Sequence, residues 1–252
     1  MAEDGLVLRT ERLTKHFGGL SALQDVDFNM PGGELRAIIG PNGAGKTTFF
    51  NLLCGILHPT RGRVYFEGRD ITGMSMHRIS RLGIARTMQI KSVFGGMRVR
   101  DNVWVAVQSR QRFMNPFAHY LKYRDIAKRV DEILDMVGLR EHSGELAQNL
   151  AYGDLCLLEM GVALGTNPKL LLLDEPVSGM SPGETERTVE TIKRLSERID
   201  VVLIEHDMDV VLSIADRITV LHFGQIIAEG TPAEIMKDRR VQEAYLGRDE
   251  DA

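Results

Sequence analysis

One octapeptide constrains the fold of this chain more than any other feature. Gly40-Pro41-Asn42-Gly43-Ala44-Gly45-Lys46-Thr47 fits the pattern G-x-x-x-x-G-K-[ST]. An apolar run at 35–39 precedes it, and a helical stretch follows it until Gly55. Glycines let successive backbone amides point inward, and a helix N-terminus adds positive potential. Strand, glycine loop and helix in this order therefore predict an α/β fold with a phosphate-binding loop.

Three side chains at the end of this loop have predicted roles. Lys46 can reach the β- and γ-phosphates of a nucleotide, and the Thr47 hydroxyl can bind Mg²⁺. Thr48, the next residue, is included among the predicted nucleotide contacts together with residues 40–47.

Composition excludes several classes of protein. A chain of 252 residues can form one large domain, or one domain with an inserted subdomain. A net charge of −4 argues against a general nucleic-acid binder. Cys54 and Cys156 are too few for a disulfide framework, and we expect both thiols to be buried in a reducing compartment. No signal peptide or membrane span is apparent, so we expect another chain to supply any span.

Hydrophobic patterns predict how the chain is organised. The first third is β-rich, residues from about 75 to 165 are mostly helical, and the last third alternates strands with helices. Ser181 to Glu184 reads as a capping box, followed by an apolar helix face. Residues predicted to line that face are Val189, Ile192, Leu195 and Ile199. A β-hairpin is predicted over 218–229. Alternating strands and helices indicate a mainly parallel sheet.

The run Leu170–Leu173 is the strongest companion to the glycine loop. Four apolar residues predict a central strand that delivers Asp174 and Glu175 at its carboxyl end, where ligands bind in open α/β sheets. Asp174 suits Mg²⁺ binding, directly or through water. Glu175 suits general-base activation of the attacking water. The alternative is a buried strand that ends in a solvated acidic turn.

These motifs, in this order, resemble the nucleotide-binding subunit of ATP-binding cassette (ABC) transporters. The resemblance spans about residues 6–247. It implies an ABC ATPase fold with a mainly parallel core, an antiparallel β subdomain and an inserted helical subdomain. The predicted single domain, 1–252, divides into the core and β subdomain at about 6–90 and 166–247, and the helical subdomain at about 91–165.

The resemblance also implies roles for residues outside the two main motifs. Phe17 matches the aromatic residue that stacks on adenine. Gln89 matches the glutamine that contacts Mg²⁺ and the lytic water. His206 matches the switch histidine that contacts the γ-phosphate. With Lys46 and Glu175, Gln89 and His206 form the predicted catalytic set.

The signature segment, Leu150-Ala151-Tyr152-Gly153-Asp154, departs from the family pattern Leu-Ser-Gly-Gly-Gln. In the family this segment contacts the γ-phosphate bound to the opposite subunit, and Tyr152 and Gly153 are assigned that role here. Ala151 lacks the serine hydroxyl, and the Asp154 carboxylate would repel a triphosphate. We therefore expect this chain to contribute only weakly to its partner's ATP site.

Three segments resemble the longer ATPase of importers for branched-chain amino acids, hydrophobic amino acids, or urea and amides. They are the signature segment, Ile204–Met208, and Glu229–Pro232 followed by Glu243–Gly247. The resemblance implies ATP and Mg²⁺ as ligands, and a second ATPase, two membrane permeases and a substrate-binding protein as partners. It implies a peripheral location on the cytoplasmic face of the membrane. The alternatives are a regulatory or weakly hydrolytic subunit, and a non-transport ATPase of the same fold.

Overall fold

The computed structural model describes residues 5–87, 93–110 and 119–246. The strands are β1 (Leu6–Phe17), β2 (Leu20–Pro31), β3 (Leu35–Ile39), β4 (Arg61–Phe66), β5 (Arg69–Asp70), β6 (Ile84–Arg86), β7 (Leu170–Asp174), β8 (Asp200–Ile204), β9 (Arg217–His222) and β10 (Gln225–Gly230). The helices are α1 (Lys46–Leu53), α2 (Met76–Leu82), α3 (Val99–Ser109), α4 (His119–Met136), α5 (Tyr152–Gly165), α6 (Pro182–Ser196), α7 (Met208–Ile214), α8 (Pro232–Ile235) and α9 (Arg239–Leu246).

The chain divides into two compact units. Unit 1 comprises residues 1–79 and 200–252, and unit 2 comprises residues 80–199. The predicted division into a core at 6–90 and 166–247 and a helical subdomain at 91–165 stays a prediction.

Unit 1 contains an antiparallel sheet and a mainly parallel sheet. The antiparallel sheet has the order β2-β1-β4-β5. In the other sheet β3 lies between β8 and β9 and is parallel to both, while β10 pairs with β9 as the predicted hairpin. All five residues of β3 are buried, as expected for a strand covered on both faces. A buried Arg36 guanidinium holds this region together through Glu34, Glu229 and Thr219.

Unit 2 combines a parallel strand pair with packed helices. β6 pairs with β7, and all five residues of β7 are buried, which confirms the predicted apolar strand. Within the segment 75–165, predicted to be mostly helical, residues 84–86 form a strand that was not predicted, because a three-residue strand stabilised by distant pairing leaves little local pattern. The helical spacing of apolar residues over 125–137 predicts a helix there, and helix α4 begins earlier, at His119.

Candidate functional site

The glycine loop leaves the carboxyl end of β3 in unit 1, as predicted. Ile38 pairs with Ile204 of β8 and with Thr219 of β9, so the loop begins at an edge with a strand on each side. Gly40 has a φ of 153°, and a Cβ there would lie 2.1 Å from the carbonyl oxygen of Leu221. Close packing of backbone against backbone therefore requires glycine at this position.

The far end of the loop is suited to bind an anion. Lys46 begins α1, and its Nζ donates to the carbonyl oxygens of Gly40 at 2.6 Å and Pro41 at 3.1 Å. The first turn of α1 contains no acidic residue and no side-chain cap. The amides of this turn thus have neither a competing carboxylate nor a capping side chain of their own. Thr47 is exposed and Thr48 is half-buried.

His206 follows β8, and the pairing of β3 with β8 brings the glycine loop and His206 to the same edge of the sheet. Its neighbour Glu205 is completely buried, and a carboxylate oxygen of Glu205 accepts the His206 backbone N–H at 3.0 Å. His206 Nδ1 lies 3.7 Å from the same oxygen. The sequence analysis assigned no role to Glu205, because a carboxylate beside a histidine reads as a solvated turn.

Phe17 lies at the end of β1, next to the turn that joins β1 to β2. Its side chain is 46% exposed, so it is not a core residue. The Lys15 ammonium lies 5.1 Å from the centre of the ring. An exposed ring is available for stacking, and the adenine role of Phe17 stays a prediction.

The C-terminal helix α9 packs beside the glycine loop. Loop residues 41–44, the turn at His222 and Phe223, and α9 residues Glu243 and Ala244 line a cavity of about 250 Å³. Burial raises the pKa of Tyr245 to about 12, while a hydrogen bond with the Gly40 backbone opposes that shift. The sequence pattern gave no sign of this contact.

The acidic end of β7 lies in unit 2. The Asp174 side chain is only 1% exposed, and its Oδ2 accepts from Nη2 of Arg86 at 2.6 Å. Its Oδ1 is buried without a hydrogen-bond partner in the part of the chain that the structure describes. A buried, unsatisfied carboxylate oxygen is uncommon and is suited to receive a cation.

Glu175 adopts a left-handed backbone conformation, with a φ of 49°. This conformation is uncommon for a residue with a side chain and marks local strain. Asp174 and Glu175 line a cavity of about 230 Å³, whose other residues include Thr87, Tyr152, Cys156 and Glu159. Cys156 is half-buried, so the expectation that both thiols are buried is confirmed for Cys54 and wrong for Cys156.

The signature segment opens helix α5, also in unit 2. The Gly153 N–H donates to a carboxylate oxygen of Glu184 at 3.1 Å, and a Cβ on Gly153 would lie 2.9 Å from that oxygen. Asp154 pairs with Arg187 at 2.9 Å. Hydrogen bonds from Ser181 and from Gly153 lower the pKa of Glu184. The electrostatic interaction with Cys156, followed by burial, raises the pKa of Tyr152.

The residues present fit a magnesium nucleotide. Mg²⁺ keeps several waters and takes one or two carboxylates plus phosphate oxygens. No group of three or more His, Cys, Asp or Glu residues suited to a metal occurs among the described residues. Taken separately, Asp174 of unit 2 has a buried carboxylate oxygen without a hydrogen-bond partner among the described residues, and Thr47 of unit 1 is exposed. Gln89 lies outside the described residues.

Two family models match the sequence. The ABC transporter model matches residues 23–178. A model described as branched-chain amino acid ATP-binding cassette transporter matches residues 225–251. The second match covers α9, the helix that packs beside the glycine loop.

Curated relatives match over nearly the full length. The chain is 40% identical to the high-affinity branched-chain amino acid transport ATP-binding protein LivG of Salmonella typhimurium, over 98% of this chain and 97% of the relative. It is 38% identical to the corresponding protein BraF of Pseudomonas aeruginosa, over 96% of this chain and 98% of the relative.

A solved structure matches equally well. It is an ATP-binding cassette of an ABC transporter in its ADP conformation, with a TM-score of 0.85 and 34% identity, over 96% of this chain and 99% of that one. The predicted fold class is confirmed by this match. In residues 5–87, 93–110 and 119–246, no helix is both long and apolar enough to cross a membrane. The chain belongs to the ABC transporter family, as one of its ATP-binding and ATP-hydrolysing subunits.

Proposed function

We propose that the chain binds magnesium ATP and hydrolyses it to drive import of a branched-chain or related amino acid. The observation that carries the site assignment is the loop at the carboxyl end of β3, which runs into an α1 first turn without an acidic residue. Lys46 and the loop amides bind the β- and γ-phosphates, and the Phe17 ring stacks on adenine.

Different side chains of this protein bind the metal and take part in ATP hydrolysis. Asp174 and Thr47 bind Mg²⁺, which neutralises phosphate charge when bound. Glu175 accepts a proton from the attacking water, and His206 contacts the γ-phosphate. Gln89 contacts the metal and the water by resemblance to the family. Glu205 holds the His206 backbone from a buried position.

The divergent signature segment supports unequal ATP sites in a two-subunit assembly. Gly153 already donates to Glu184 within this chain, and Tyr152 and Gly153 are the residues assigned to the partner's ATP. We infer that the site built on Lys46 is hydrolytically competent and that the opposite site is weaker. Single-turnover hydrolysis with Glu175→Gln, compared with the equivalent change in the partner, tests this. Unchanged turnover in Glu175→Gln would show that the assignment of Glu175 as the general base is wrong.

The partners and the solute follow from the resemblance and from the names of the relatives. We infer a second ATPase, two permeases that span the membrane, and an extracytoplasmic binding protein that acts through them, with this chain at the cytoplasmic face. Purification from detergent-solubilised membranes should bring the permeases with it. Uptake of labelled leucine, isoleucine, valine and urea by cells with and without the chain identifies the solute. Loss of urea uptake alone would favour the urea-importer alternative.

A further inference from the structure

A buried ion pair joins the ends of the two strands of unit 2. Arg86 is the last residue of β6, Asp174 is the last residue of β7, and Nη2 of Arg86 lies 2.6 Å from Oδ2 of Asp174. The side chains are 9% and 1% exposed. Because this ion pair is buried, its short, charge-assisted hydrogen bond is little screened by water.

The backbone around the pair is fixed as well. Arg86 is in register with Leu172, and the Thr87 N–H donates to the Leu172 carbonyl at 3.0 Å. The Asp174 N–H lies 3.5 Å from the Thr87 hydroxyl oxygen. Arg86, the last residue of β6, and Thr87, which follows it, therefore hold the side chain and the backbone at the end of β7.

We propose that Arg86 is a positioning residue for the metal carboxylate: it holds Oδ2 of Asp174, so that Oδ1 is presented to Mg²⁺. This inference rests on the proposed function, in which Asp174 binds the metal. The two carboxylate oxygens of Asp174 differ in their surroundings. Oδ2 accepts a hydrogen bond from the Arg86 guanidinium, whereas Oδ1 is buried without a hydrogen-bond partner among the described residues. Groups that orient a metal ligand in this way commonly change metal affinity when they are removed.

A purely neutralising role for Arg86 predicts the opposite result. If the guanidinium only offset the buried negative charge, it would compete with Mg²⁺, and its removal would tighten metal binding. If it orients the carboxylate, its removal weakens metal binding. Both roles predict lower stability, since removal of one partner of a buried pair leaves the other uncompensated. The metal dependence of nucleotide binding separates the roles.

The experiment measures ATPγS binding by calorimetry, with the full-length chain, across a series of free Mg²⁺ concentrations and in EDTA. We expect Arg86→Met to raise the Mg²⁺ concentration at half-effect about 10- to 100-fold, with affinity in EDTA unchanged. Arg86→Lys keeps a charge but not the planar fork, so we expect an intermediate shift. Arg129→Met is the matched control, because it removes an exposed ion pair with Glu132 in the same unit. We expect no shift in that control.

The outcomes separate this inference from the proposed function. Asp174→Asn should also raise the Mg²⁺ requirement. A normal requirement in Asp174→Asn would overturn the metal assignment, and the inference would fall with it. If Asp174→Asn shifts but Arg86→Met shows an unchanged or lower requirement, only the positioning role is wrong. Should Arg86→Met fail to fold, Arg86→Lys decides: an unshifted requirement there overturns the role.

Discussion

Glu175 combines a proposed catalytic role with a strained backbone, and its substitutions should separate activity from stability. A left-handed backbone conformation costs an L-residue about 1–2 kcal/mol. Glycine avoids this cost, but it loses about 0.5–1 kcal/mol more conformational entropy on folding than alanine does. Taken at the midpoints of the two ranges, the difference predicts that Glu175→Gly stabilises the chain by about 0.75 kcal/mol. For a domain of this size, that corresponds to a rise in Tm of about 1–4 °C.

The same substitution should abolish hydrolysis. Removal of a general base lowers the rate by about 10²- to 10⁴-fold. Glu175→Gln retains both the shape of the side chain and the backbone strain, so we expect a comparable loss of hydrolysis without the gain in stability. Glu67→Gly is the matched control, because Glu67 has a φ of 47° in the turn between β4 and β5. We expect it to be stabilised to a similar degree, with normal hydrolysis.

The measurements are equilibrium unfolding and single-turnover phosphate release. Circular dichroism follows the whole chain, and fluorescence of the single tryptophan, Trp104, follows unit 2, where its ring stacks on Tyr123 at 5.8 Å. A Glu175→Gly variant less stable than Glu175→Gln would show that the backbone argument is wrong. Normal hydrolysis in Glu175→Gln would show that the base is a different residue.

Three other predictions concern unit 1. Gly40→Ala should unfold at a much lower temperature than Gly43→Ala, because a Cβ at Gly40 meets a backbone oxygen, whereas at Gly43 it meets nothing within 4 Å. Arg36→Met should lower the free energy of unfolding by about 3–5 kcal/mol by leaving the buried Glu34 unpaired, and adding Glu34→Gln should recover most of this in denaturant titrations. Tyr245 should ionise near pH 12 in an ultraviolet absorbance titration. Because its folded pKa lies above the unfolded value of 10.0, its stabilising contribution is complete below pH 10 and is lost as the pH rises towards 12, a loss that Tyr245→Phe should remove.

Local sequence patterns were sufficient to predict the structure where one short segment determines it. The glycine loop, the buried strand before Asp174 and the capping box at Ser181 could all be read from adjacent residues. Each of these depends on backbone geometry or on continuous burial, which leave a signal within ten residues.

Patterns failed where distant contacts determine the structure. The full length of β1, to Phe17, is not apparent from the sequence, because a positive φ at Arg12 and a shift of register after Thr10 interrupt the alternation of buried and exposed residues. On α6 the buried face includes Thr188 and Thr191 but not the predicted Val189, which is half-buried, and the predicted Ile199 lies beyond the end of the helix. The Thr191 hydroxyl donates to the Arg187 carbonyl, which satisfies its polar group inside the helix.

In the candidate site, too, some residues could be predicted from local sequence patterns and others could not. Asp174 and His206, which we propose contact the metal and the nucleotide, belong to recognisable motifs, whereas Arg86 and Glu205, which bond to them, do not. Arg86 precedes Asp174 by 88 positions, so the pairing appears only when β6 and β7 are aligned. Glu205 adjoins His206 in sequence, yet its burial depends on the sheet around β8.

The signature segment extends this reasoning to the opposite subunit's ATP. From the sequence, repulsion is attributed to Asp154. In the structure Arg187 offsets that charge, while Glu184 accepts the Gly153 amide at the start of α5. A phosphate that approached this amide would therefore meet the Glu184 carboxylate on the same donor. Restoring a neutral side chain at Asp154 would leave that carboxylate in place and would free Arg187 from its partner. Arg187 thus offsets the charge of Asp154, and the proposed weakness of the opposite site would follow from the Glu184 carboxylate, which already accepts the Gly153 amide.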